Sequence, residues 1–196
     1  MSQLILFLLL DQFADWEAAY LSSALISFGH TVQTVSLDCS PIRSIGGFSL
    51  LPDHSLVSAP AKFDGLVLIG GNSWRSDAAR QAEPLIRIAY AQECPLGAIC
   101  DAAGFLGHMK LLNNHRHTCN DLADLRQWAG PRYSGEALFL PRQAVRDRFL
   151  VTANGTAPLE FAREFLLAMN AAPQADIGAW YQFHKLGFYT SAMPGM

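Results

Sequence analysis

Residues 96–107, LGAICDAAGFLG, carry an apolar run directly into a cysteine, and from Cys100 into a helix-forming stretch with small residues at Ala102, Ala103 and Gly104. A strand that becomes a helix at a cysteine is a nucleophile elbow in cysteine form. The small residues let the helix start close behind the strand and leave the sulfur exposed at its tip. The helix N-terminus adds partial positive charge and free N–H groups, which favour thiolate over thiol. The competing reading makes Cys100 a small buried apolar residue, as free cysteines often are.

Two other features bear on that choice. Glu17 falls near the start of a first helix that follows a first strand, and in a doubly wound sheet this end of the element faces the same crevice as the elbow. It could hold the sulfur by a charge-assisted hydrogen bond, or simply complement the helix dipole from solvent. Gly70 and Gly71 end another apolar run. Their backbone N–H groups, with that of Asp101, could form an oxyanion hole, although most Gly-Gly pairs are only turns.

Positioning these groups requires alternating strands and helices. Leu4–Leu10 reads as a buried strand, and Asp15 as the cap of a helix from Trp16 to Phe28, stopped by Gly29. Residues 31–37, TVQTVSL, give a second strand and complete a βαβ unit. Arg43–Leu51 around Gly46 and Gly47 reads as a hairpin and Gly65–Ile69 as a strand. Ser76 or Asp77 opens a helix to about Gln92, followed by a strand at Leu96–Ile99 and a helix at Asp101–Met109. Further on, helices are expected at Leu122–Trp128, Pro158–Met169 and Ile177–Tyr189, with a strand at Phe149–Thr152. The alternation predicts an α/β fold: an open, mostly parallel sheet covered on both faces, with its site at the carboxyl ends of the strands.

Composition agrees with this. The 196 residues are 51% apolar and 16% charged, within the range of a single domain with a large core. A formal charge of -3 supplies no electrostatic footprint for nucleic acid or an anionic membrane. The seven-residue run at Leu4 lacks a preceding Lys or Arg and is too short to span a bilayer. Cys39, Cys94, Cys100 and Cys119 form no CxxC pair; they read as reduced thiols of a cytoplasmic protein.

Taken in order, Asp15-Trp16-Glu17, Ile69-Gly70-Gly71, Ala98-Ile99-Cys100 with its helix, Leu111-Leu112-Asn113-Asn114, His117-Thr118-Cys119-Asn120 and Ala153-Asn154-Gly155-Thr156-Ala157 resemble the DJ-1/PfpI superfamily, within the class I glutamine amidotransferase-like fold. The motifs spread over residues 4 to 170. The resemblance implies a single flavodoxin-like domain over 1–196, a homodimer, no cofactor, Cys100 as nucleophile and redox-sensitive thiol, Glu17 as its protonated partner, and Gly71 and Asp101 as oxyanion donors. It also implies that the segment after the elbow helix returns toward the nucleophile. That makes His117 the best-placed histidine and lets Asn120 reach a substrate carbonyl.

This chain departs from its relatives at telling points. Proteolytic members carry His directly after the nucleophile, where this chain has Asp101, and the His-x-Glu pair of the glutaminase triad is missing. Peptidase and glutaminase activities lose weight. The isocyanide-hydrating branch carries Asp at the position of Glu17, so that activity loses weight too. His108, His115 and His117 lack a carboxylate set of ligand spacing, so no metal is expected. Cys119 reads as a small buried residue, with a disulfide to Cys100 as the alternative. Trp74 reads as a pocket wall, or as an interface or core residue. The expected activity is a cysteine-dependent hydrolase or lyase on a small carbonyl or amide substrate; the rival is a redox-responsive protein sensing oxidants through Cys100.

Overall fold

The computed structural model describes residues 2–191. Its central sheet has seven strands: β1 (Leu4–Leu8), β2 (Thr31–Ser36), β5 (His54–Ser55), β6 (Gly65–Leu68), β7 (Leu96–Ile99), β8 (Ala144–Asp147) and β9 (Leu150–Ala153). They lie in the order β5-β2-β1-β6-β7-β9-β8, and β3 (Ile42–Arg43) and β4 (Ser49–Leu50) form a separate hairpin. Every pairing in the large sheet is parallel except β8 with β9. The fold is the expected flavodoxin-like α/β arrangement.

The continuous apolar character of β1 has a simple cause. Successive side chains point to opposite faces, and both faces are covered. Leu6 and Leu8 pack on one side among residues of α2 (Glu83–Ala91), α3 (Asp101–His108) and α4 (Leu122–Ala129). Ile5 and Phe7 pack on the other with α1 (Asp15–Ser27), α5 (Pro158–Met169) and α6 (Gln174–Leu186). Burying a side chain of this size stabilises by roughly 1.5–3 kcal/mol, so a parallel strand of this kind must be apolar on both faces.

Several local expectations are corrected. Asp15 is not a cap: Ala14 occupies the N-cap position with no side-chain bond, while Asp15 Oδ2 accepts the Gly46 N–H at 2.7 Å and ties the hairpin to α1. The helix expected from Ser76 or Asp77 begins only at Glu83, after two 3₁₀ turns over 72–75 and 77–82. Pro84 explains this, because an α-helix running through it would need an N–H that proline lacks. The last helix starts at Gln174 and stops at Leu186, where Gly187 takes φ 88°. Strand β8 was not anticipated: it is a short edge strand in which Val145 is the buried residue. No helix among the described residues is long and apolar enough to cross a membrane.

Candidate active site

The carboxyl ends of β6 and β7, the segment after β9 and the first turn of α1 meet at one edge of the sheet. Cys100 links β7 to α3 with φ 61° and ψ -132°, a left-handed conformation that costs a non-glycine residue on the order of 1–3 kcal/mol. Its N–H donates to Ala153 O at 3.0 Å and its carbonyl accepts from the Ala103 N–H at 3.0 Å. The turn is thus pinned from both sides, with the half-buried thiol at the N-terminus of α3.

Glu17 is fully buried beside it. Its Oε2 accepts the Gly70 N–H at 2.8 Å, whereas Oε1, also buried, has no conventional hydrogen-bond partner. Oε1 and Cys100 Sγ each lie 3.0 Å from the place a β-carbon on Gly155 would occupy, so the orphaned oxygen and the sulfur face one small gap. Asn120 closes it: its Nδ2 donates to Sγ at 3.2 Å, and its Oδ1 accepts the Gly155 N–H at 2.8 Å. That second bond fixes which way the amide points, because only the oxygen can accept.

Burial pushes the Glu17 carboxyl up to about 7, against the pull of Cys100 and the Gly70 N–H. Burial and then the Glu17 charge push the thiol up to about 11, against Asn120 and the Asp101 N–H. The expected bias toward thiolate therefore fails for Cys100 taken alone, since burial outweighs the helix terminus. As a pair, the two groups give up one proton near neutrality and resist a second anion. The single charge is shared between carboxylate and sulfur.

The two glycines have different duties. A β-carbon on Gly70 would lie 2.5 Å from both Cys100 Cβ and Glu17 Oε2 and 2.8 Å from Ile99 O, so only glycine lets the three segments meet. The Gly70 N–H is committed to Glu17 and is not available as an oxyanion donor, contrary to expectation. Gly71 has φ 147°, and a β-carbon there would strike Gln12 O and Phe13 Cα. Neither the Gly71 N–H nor the Asp101 N–H donates to another backbone group among the described residues.

Residues 3–168 match the model of the DJ-1/PfpI family. The chain belongs to this family. It is 42% identical over 185 residues to a Bacillus subtilis (strain 168) protein named "Uncharacterized protease YdeA", covering 94% of this chain and 92% of the relative. A DJ-1 superfamily protein from Agrobacterium tumefaciens superposes with a TM-score of 0.85 at 35% identity, covering 95% and 98%. A thiJ/pfpI family protein from Bacillus anthracis gives 0.86 at 31%, covering 94% and 91%.

Within the DJ-1/PfpI frame, the structure brings together Cys100, Glu17, Gly70 and Asn120, and separates two other expected residues. His117 is fully buried and turned away: Nδ1 bonds His115 O at 2.7 Å and Nε2 bonds Tyr133 Oη at 2.8 Å. Both ring nitrogens are occupied, so it cannot serve the sulfur. Trp74 is core; its indole N–H donates to Ile69 O at 2.6 Å and its ring packs on Phe105. Cys100 and Cys119 are both free, and Cys119 is buried with Sγ against Asp121 O.

Other residues complete the surroundings without having been expected. Trp16, 48% exposed, donates its indole N–H to Gly155 O at 2.9 Å. With Cys100, Asn120, Asn154, Gly155 and Thr156 it lines an open cavity of about 530 Å³. The Asp101 carboxylate, which would otherwise stand unpaired behind the nucleophile, is held by Arg75. In the sequence, Trp16 was visible as a neighbour of Glu17, but nothing local signalled its reach to Gly155.

Proposed function

We propose that this DJ-1/PfpI family member is a cofactor-independent cysteine enzyme acting on a small carbonyl or amide compound, with amidase-, glyoxalase- or deglycase-like turnover. The observation that carries the reading is the buried, unpartnered Glu17 Oε1 facing the Cys100 sulfur beside an open cavity. The sulfur adds to the carbonyl carbon, and the carbonyl π pair moves to oxygen. The Gly71 N–H and the Asp101 N–H, the latter set against the sulfur, receive that oxygen. The proton shared by the pair passes to it, leaving a neutral thiohemiacetal and a Glu17 carboxylate able to take the next proton.

An aldehyde suits this constellation better than a peptide. Amide cleavage must protonate an expelled amine, and among the described residues no histidine lines the cavities that Cys100 borders. The Bacillus subtilis relatives carry protease names, yet a histidine positioned for that step is what this site lacks. The same orphaned oxygen supports a second reading, in which peroxide oxidises Cys100 to a sulfinic acid held by Glu17. Turnover separates the two. Purified protein is assayed with methylglyoxal, small amides and peptides against a Cys100→Ala control; Cys100-dependent loss of the aldehyde supports the enzyme. No turnover of any substrate, with stoichiometric oxidation of Cys100, supports the sensor.

A further inference from the structure

Arg75 ends the short turn that follows Gly70-Gly71, and its guanidinium closes on two carboxylates. Nε and Nη2 fork onto Asp101 at 2.8 and 3.2 Å, and Nη1 and Nη2 fork onto Asp124 at 3.0 and 2.5 Å. Its central carbon stands 4.7 Å from the centre of the Trp128 ring. Asp101 is the first residue of α3, directly after the nucleophile, and Asp124 lies in the first turn of α4. One side chain thereby joins the loop bearing the Gly71 N–H, the helix bearing the Asp101 N–H, and α4.

Stability alone is a weak account of this clamp. The Arg75 and Asp124 side chains are 41% and 43% exposed and that of Asp101 22%, so solvent screens much of the attraction. Electrostatics near the sulfur is a stronger one. The charged or titratable groups around the pair are Asp101 from α3, Arg75 from the loop after β6, Asp121 and Asp124 from the start of α4, and Cys119 from the preceding loop. On α1, Asp15 is turned to Gly46. Residues 154–157, after β9, carry no charge.

We propose that Arg75 is a positioning residue of the thiol site: by gripping Asp101 it offsets part of that carboxylate's charge beside the sulfur and holds the Gly71 and Asp101 N–H groups in register. An acid can then occupy the position directly after the nucleophile. The Asp101 charge is among the influences that push both Glu17 and Cys100 upward, behind burial, so freeing that charge raises both further. The inference rests on Cys100 and Glu17 being the reactive pair. It does not require any particular substrate.

The test is the rate of iodoacetamide alkylation at Cys100, read by peptide mass spectrometry from about pH 6 to 10 so as to span the first ionisation of the pair, in Arg75→Gln, Asp101→Asn and the double variant. Arg75→Gln is expected to move the profile to higher pH, slowing alkylation near neutrality by about 3- to 10-fold, and Asp101→Asn to move it lower. The double variant returns to within about twofold of wild type, because Asp101, the carboxylate next to the sulfur, and its counter-charge are removed together. Shifts of the same sign in both single variants, or no rescue in the double, would overturn the proposal. Should Arg75→Gln not fold, Arg75→Lys keeps the charge without the fork and stays within about twofold of wild type; a tenfold change would contradict charge cancellation. Alkylation needs no turnover, so the outcome is distinguishable from a failure to find a carbonyl substrate.

Discussion

Two polar clusters each draw on the stretch between residues 100 and 117, and only one is built to react. At His115 and His117 the partners are complete: His117 bonds His115 O and Tyr133 Oη, and His115 Nε2 meets Tyr90 Oη at 2.9 Å and Arg148 at 3.2 Å. At Cys100 and Glu17 a buried oxygen is left without a partner, beside a sulfur that borders open space. Buried polar groups are normally satisfied. Asp15 Oδ1 and His108 Nδ1 are also buried without a partner; what marks the site is that the Glu17 oxygen faces a thiol beside open space, rather than the density of titratable residues.

The clusters also answer pH with opposite sign. Burial holds both histidines below their ordinary value, with Arg148 adding to it at His115. The unfolded chain therefore binds more protons, and their contribution is lost as pH falls from about 6.5 toward the folded values. Glu17 is raised from 4.5 to about 7, so the folded chain binds more protons there. Its contribution is complete below about 4.5 and is lost as pH rises through about 7.

The largest expected effect falls on the strained cluster. Gly70→Ala forces a β-carbon onto backbone and side chains of two other segments, Ile99–Cys100 and Glu17, costing about 3 kcal/mol or more by denaturant unfolding and abolishing selective alkylation of Cys100. A native-like midpoint with normal alkylation would mean the segments do not meet as described. Next is the pH dependence: unfolding free energy is expected to fall by up to roughly 3 kcal/mol between pH 5 and 8 from Glu17 alone, a fall missing in Glu17→Gln. Equal slopes for the two proteins would break the contrast of sign.

On the satisfied side, His117→Phe strands the Tyr133 hydroxyl and is expected to cost about 1–3 kcal/mol, while Cys100 alkylation stays within about twofold. Loss of thiol reactivity in a folded His117→Phe would return that histidine to the site. The smallest effect is that of Trp16→Phe, which removes the bond to Gly155 O at the cavity wall. About 0.5–1.5 kcal/mol is expected, with the same pH profile of alkylation.

The split between these clusters also describes how far the sequence could be read. The strand-to-helix junction at Cys100, the first-turn Glu17 and the glycine pair are local patterns, and local patterns report backbone geometry well. Which partner satisfies a polar atom is not local. By resemblance His117 reads as the histidine best placed for the sulfur, until His115 O and Tyr133 are seen to occupy it. Arg75 meets acids 26 and 49 residues away, and Trp16 meets a carbonyl 139 residues away; neither leaves a trace in spacing. Strand β8 is not legible in the sequence because an edge strand with Arg146 and Asp147 carries little apolar alternation. Trp74 shows the converse, since a tryptophan after a glycine turn reads as a pocket wall or as core until Phe105 against it decides for core.

The central claim is that Glu17 and Cys100 share one proton across a gap left for it. The direct measurement is the alkylation rate of Cys100 against pH, resolved from Cys39, Cys94 and Cys119 by peptide mass spectrometry, in wild type and Glu17→Gln. The wild type is predicted to modify Cys100 first at neutral pH and to rise in two steps, near about 7 and about 11. In Glu17→Gln the amide oxygen keeps the Gly70 N–H, the amide nitrogen faces the sulfur, and a single step below 11 replaces both. Superimposable profiles for the two proteins would contradict the pairing.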